Sequence, residues 1–258
     1  WLTVVINELE AAMHKNDLEE FNRWLQREPD LRSESNVRLL VGLVEIAAYN
    51  DRGPFITRLL EFAPAIQVKR PPSSAVVYAL EYGNAHLLPL LTPIWPLPDD
   101  LPHAAGVGDF ARVKDWFDEA GRPRLGSLKD HYPTNNPGVL QNLHWTPANL
   151  QHVLDVALAW ASVNRRFEIA SFLLERGANI NTDWSTHEPA SILHECAIHG
   201  NYEAAQFLID HGIDMTIRDY RWNGTAEGWA MHASVVGQPP LGDKNMAEFL
   251  ARAERARE

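Results

Sequence analysis

The sequence predicts an all-α chain of stacked helix pairs, a solenoid of about seven units with long finger loops. Three observations carry this expectation. The first is an internal repeat. LAWASVNRRFEIASFLLERGANINTD (158–183) aligns with LHECAIHGNYEAAQFLIDHGIDMTIRD (193–219), so that Ala161 falls on Cys196, Glu168 on Glu203, Gly177 on Gly212 and Asp183 on Asp219, at an offset of 35 residues that becomes 36 at the last pair. The second is a small residue at a near-constant interval: Ala12, Ala47, Ala79, Ala104, Ala161, Cys196 and Ala230 are separated by 35, 32, 25, 57, 35 and 34 residues. The third is the apolar pattern around those points, which recurs at i, i+3, i+4 and i+7, the spacing of one helix face.

Taken in order, the units fall at about 7–35, 42–72, 74–98, 99–124, 146–183, 190–219 and 224–258, with an insertion at 125–149. In the first, Leu9, Ala12, Leu18, Phe21 and Leu25 flank an Asn16-Asp17 turn. Its polar face (Glu10, Lys15, Glu19, Glu20, Arg23) suits a terminal repeat that no neighbour covers. In the second, Ala47-Ala48 is the close-packed pair, and Pro54 opens a second helix where a first-turn N–H has no partner to lose. Pro89 removes a backbone hydrogen bond in the third unit and should kink or shorten its second helix. The short 25-residue step after Ala79 leaves room only for a tight link through the Pro-rich 93–102. The 57-residue step carries about 24 extra residues over the repeat period, including the turn-rich YPTNNPG at 132–138. Thr146 with Pro147 reads as the cap and first position of the next helix. Leu150, Val153, Leu154, Ala157, Leu158 and Ala161 extend that helix to about twice the usual length. A loop at 234–242 interrupts the last unit before a charged closing helix that Asp243 can cap.

Ser191-Ile192-Leu193-His194-Glu195-Cys196 is a worn T-P-L-H-x-A signature at a period near 33 residues, and Thr225-Ala226-Glu227-Gly228-Trp229-Ala230 is a more worn one. On these residues the chain resembles the ankyrin-repeat family, most closely over 156–232. The resemblance implies one solenoid over 1–258 that serves as a binding scaffold for a protein partner, without a cofactor. It also implies a concave face built from exposed inner-helix positions and finger tips. Carried over position by position, the inner-helix positions are Tyr49, Tyr78, Tyr82, His103, Trp160, Asn164, Glu195, His199, Trp229 and His232. The long fingers add Trp184, His187, Tyr220, Arg221 and Trp222. The predicted binding residues are those of the C-terminal half: Trp160, Asn164, Glu195, His199, Trp229 and His232 from the helices, with Trp184, His187, Tyr220 and Trp222 from the fingers. Trp160, Glu195 and Trp229 share one register and should line a single strip.

A rival expectation keeps the scaffold and makes it an enzyme or small-molecule binder. The insertion and the 234–242 loop would close the groove over a pocket, with Glu195, His199 and His232 as candidate acid–base groups. A metal site is disfavoured, because the histidines of His194-Glu195-x-x-x-His199 are five apart, not the four that put both on one helix face. The net charge of −11, with 34 acidic against 23 basic residues, argues against nucleic acid, which is bound through basic clusters. Lys and Arg are interspersed among the acids, which argues equally against an acidic mimic of nucleic acid. Asn223-Gly224-Thr225 reads as a finger turn and Gly106-Val107-Gly108 as turn chemistry. The single cysteine, Cys196, takes a small buried position and suits a reducing, cytoplasmic setting. No apolar run reaches the ~20 residues of a membrane span, and WLTVV has neither the basic flank nor the length of a signal peptide.

Overall fold

A computed structural model describes residues 2–124, 149–186, 188–236 and 244–257. Among them every regular element is a helix, apart from one isolated antiparallel bridge between Phe117 and Pro123. The helices follow one another as short-turned pairs, so the architecture is the predicted all-α stacking of helix pairs. The chain divides into two compact units, residues 1–79 with 84–97, and residues 80–83 with 98–258.

The first unit contains α1 (Leu2–His14), α2 (Leu18–Arg27), α3 (Val37–Tyr49), α4 (Gly53–Phe62), α5 (Ala65–Lys69), most of α6 (Ala75–Glu81) and α7 (Leu88–Leu91). Asp17 caps α2 by accepting from Glu20 N at 2.8 Å. Leu9 and Met13 of α1 and Phe21 and Leu25 of α2 are fully buried, and Phe21 sets its edge against Phe55 of α4 at 5.0 Å. Ala47 and Ala48 are likewise fully buried, as close-packed small residues must be. Polar ties join successive pairs at helix-end carbonyls. Arg52 Nε donates to Met13 O at 3.1 Å, and Asn84 Nδ2 donates to Ala48 O and Tyr49 O at 3.0 and 3.1 Å. Pro89 has the expected shortening effect: α7 is four residues long, entered through a 3-10 turn at Ala85–Leu87.

The second unit contains α8 (Leu101–Val107), α9 (Phe110–Asp115), α10 (Leu150–Val163), α11 (Phe167–Glu175), α12 (Ile192–Ile198), α13 (Tyr202–Asp210), α14 (Ala226–Val236) and α15 (Lys244–Arg255). The long helix is present: α10 has 14 residues against 7 in each of α8 and α12. Its cap is Asn149, whose side chain accepts from Gln151 N at 2.9 Å. Thr146, Pro147, Asp243 and residues 125–148 of the expected insertion lie outside the described residues. Residues 234–236 of the expected loop belong to α14, and 237–242 lie outside the described residues.

α8 lies along α10, and Gly106 makes this possible: a Cβ there would stand 3.3 Å from the Trp160 Cβ and 3.0 Å from Leu80 Cδ2. Asn164 closes α10 by donating to Trp160 O and to Leu80 O at 2.8 and 2.7 Å. Asn201, the cap of α13, reaches back to Val163 O at 2.8 Å. No helix among the described residues is long and apolar enough to cross a membrane.

Candidate binding site

One device recurs in the second unit and fixes its aromatic residues. Asp100 caps α8 and its Oδ1 accepts from both His103 N and His103 Nδ1, at 2.9 and 2.8 Å. The His103 ring then sets an edge against Trp160 of α10, 5.1 Å between centroids at 89°. Two repeat units further on, Ser191 precedes α12 and its hydroxyl meets His194 Nδ1 at 2.8 Å. His194 in turn sits edge-on to Trp229 of α14, at 5.0 Å. His194 Nε2 is 3.1 Å from Gly224 O; a carbonyl only accepts, so Nε2 carries the hydrogen and Nδ1 accepts from Ser191. Burial holds His194 below the ordinary histidine range despite that bond. Both ring nitrogens being taken, the His194-Glu195-x-x-x-His199 stretch has an intrachain explanation. No group of three or more metal-ligating side chains occurs among the described residues.

The shared register of Trp160 and Trp229 therefore records packing against the preceding histidine. Trp160 is 0% exposed and is a core side chain, not a groove contact. Trp184, expected to overhang from a finger, is also 0% exposed. The finger bearing it folds back onto α12, where Glu195 anchors it. Ser185 Oγ donates to Glu195 Oε1 at 2.5 Å, Thr186 N to the same oxygen at 2.9 Å, and Thr186 Oγ1 reaches both carboxylate oxygens at 3.0 Å. Glu195 is thus a buried anchor, not an exposed acid. Its Oε2 is 3.7 Å from His199 Nε2, and His199 packs edge-on to Tyr82 at 5.3 Å. Burial first, and the nearby Glu195 charge second, push the Glu81 carboxyl well above the usual range. Burial likewise pushes the Cys196 thiol up, in keeping with a packing role. Asn164 is buried with its amide committed to carbonyls, and His187 lies outside the described residues.

The predicted residues that do come together at a surface are Trp222, Trp229 and His232. They line a pocket of about 500 Å³ with Ile198, Gly224 and Gly228. Trp222 is 64% exposed, while Trp229 is almost covered; the two indoles stand edge to face, 6.0 Å apart at 70°. Neither Trp160, Glu195 nor His199 belongs to this lining, so the acid–base trio of the rival expectation is not assembled in it. Tyr220 is exposed on the same finger but does not line the pocket.

The finger that carries Trp222 is built around Asp219. Its Oδ1 accepts from Arg221 N and Trp222 N at 2.9 and 2.6 Å, and its Oδ2 from Gly224 N and Trp229 Nε1 at 2.7 and 3.0 Å. Asp219 N donates to Gly224 O at 2.9 Å, with Asn223 in the left-handed region at φ 55° to turn the chain. Burial pushes this carboxyl up, but the four N–H donors outweigh it and hold Asp219 below its ordinary value. Tyr220 N donates to Pro189 O at 2.8 Å, pairing the two fingers. Sequence reasoning named Trp222 and Trp229 but missed Ile198, Gly224 and Gly228. Gly224 was the available signal, since a Cβ there would stand 3.5 Å from the Trp229 ring.

Helix pairs that follow one another in chain order, with fingers anchored on Glu195 and Asp219, define a helical-repeat architecture. Residues 132–219, about a third of the chain, match the family model for Ankyrin repeats (3 copies). The match begins inside the segment expected as an insertion. A similar solved structure is the ankyrin repeat domain of Bcl-3, described as a unique member of the IkappaB protein family. It is 16% identical, with 95% of this chain and 97% of that chain covered and a TM-score of 0.37. Comparison with curated proteins finds no match.

Proposed function

We propose that this chain is an interaction scaffold that holds a protein partner at the aromatic pocket between α12, the 219–225 finger and α14. Ankyrin repeats serve as a family to bind proteins, and the observation that carries the reading here is the exposure of Trp222. A large aromatic left 64% exposed beside a pocket, on a finger pinned by four hydrogen bonds to Asp219, is a rigid anchor whose burial a partner would complete. Exposed apolar side chains continue along α14 at Met231, Val235 and Val236, and with Tyr220 they concentrate at this end of the described chain. The site therefore differs from the strip the sequence suggested: its walls are Trp222 and Trp229, and Trp160 and Trp184 are core.

The test is quantitative partner recovery from a native extract with the wild type and with Trp222→Ala. At least one protein retained by the wild type should fall about tenfold or more with the variant, in line with a loss of ~2 kcal/mol at an interface hot spot. Equal recovery of every retained protein by the two would remove the pocket from the interface.

A further inference from the structure

We infer that the pocket is selective for an alkylated ammonium group, a methylated lysine side chain presented by the partner. This rests on the reading above that the pocket is the partner site, and it adds the chemistry of what enters.

Four features point to a cation with apolar substituents, not to a plain aliphatic anchor. First, the two indoles stand nearly perpendicular at 6.0 Å and so form adjoining walls, each with the negative face of an aromatic quadrupole. Second, the Trp229 indole N–H donates to Asp219 Oδ2 at 3.0 Å, and Asp219 is held in its charged form by three backbone N–H groups as well. A carboxylate bonded to the indole N–H pushes electron density into the ring and places a negative charge at the edge of that wall. Third, Trp222 already attracts a cation from its own chain, with the Arg221 guanidinium carbon 5.2 Å from the ring centroid. Fourth, no Lys or Arg lines the pocket, the Arg221 guanidinium standing over the Trp222 ring from outside the lining, and Gly224 brings no side chain against the Trp229 indole. A bare ammonium is strongly hydrated and needs hydrogen-bond acceptors. Methylation removes its donors and spreads its charge over methyl groups, which suits apolar, electron-rich walls. The chain's net charge of −11 favours approach of a basic segment at long range.

The minimal probes are N-acetyl-trimethyllysine amide and its neutral isostere, in which carbon replaces the charged nitrogen. Both are titrated into the full chain with the indole N–H resonances followed by NMR. Saturable shifts are expected at Trp222 and Trp229, with the neutral isostere at least tenfold weaker and unmodified lysine weaker still. Trp222→Ala should abolish the response, and Trp222→Phe should retain part of it. Tetramethylammonium alone binding as tightly as the lysine derivative would show a site for free small cations and would overturn the assignment to a partner side chain. Equal affinity of the neutral isostere, or no saturable shift with trimethyllysine, would overturn the cation. Neither result would restore or remove the pocket as an interface, which the recovery experiment with Trp222→Ala decides separately.

Discussion

At the scale of single residues, tryptophans at comparable positions do different work because their surroundings differ. Trp160 is enclosed by Gly106, Leu80 and His103, so Trp160→Ala should empty a packed volume and cost about 3–5 kcal/mol, read as a fall in the urea midpoint. Trp222 has little to lose on folding, and Trp222→Ala should change stability by no more than about 0.5 kcal/mol. Asp155 gives a second residue-scale prediction. Burial pushes its carboxyl up to about 6, although the Asn179 N–H and the Gln151 amide both donate to it. Its folded value lies above the unfolded one, near 3.9. Its stabilising contribution is therefore complete below about pH 4 and is lost as pH rises through about 6. Asp155→Asn should flatten the stability profile between those limits. At pH 7 the variant should be more stable than the wild type by about 1–3 kcal/mol, measured by urea unfolding at pH 4 and pH 7.

At the scale of elements, the helices were legible because each carries its own punctuation. Asp17, Asp100 and Asn201 cap helices from just ahead of an apolar face, and Pro54 marks a first turn. What sequence could not show was where side chains go once pairs stack. The 3.6-residue period puts Trp160, Glu195 and Trp229 in one register, but it is silent on whether that register faces solvent or the next pair. The His103–Trp160 and His194–Trp229 contacts, which join residues 57 and 35 apart, settle that. The fingers were harder still. Asp219 reads as an ordinary turn residue, yet it receives four N–H donors and positions both walls of the pocket. Asp219→Ala leaves those donors without their acceptor. It should cost about 1–3 kcal/mol and, unlike Trp222→Ala, increase hydrogen exchange at residues 220–224.

For the whole molecule, stability in a repeat array is a sum of units and their nearest-neighbour contacts, so short helices make weak links. α6 to α9 have 7, 4, 7 and 6 residues, against 14, 9, 7 and 9 for α10 to α13. Amides in 75–115 should therefore exchange faster than those in 150–210 under native conditions, and equal protection of the two stretches would contradict this.

The central claim is that the chain's recognition surface is the Trp222–Trp229 pocket and that the equally aromatic Trp160 belongs to the core. The most direct measurement is unfolding stability and partner recovery, taken together, on Trp222→Ala and Trp160→Ala. The account predicts that Trp222→Ala keeps wild-type stability and loses the partner, while Trp160→Ala loses stability and retains the partner in proportion to the folded fraction. The reverse pattern, with partner recovery lost per folded molecule in Trp160→Ala and intact in Trp222→Ala, would contradict it.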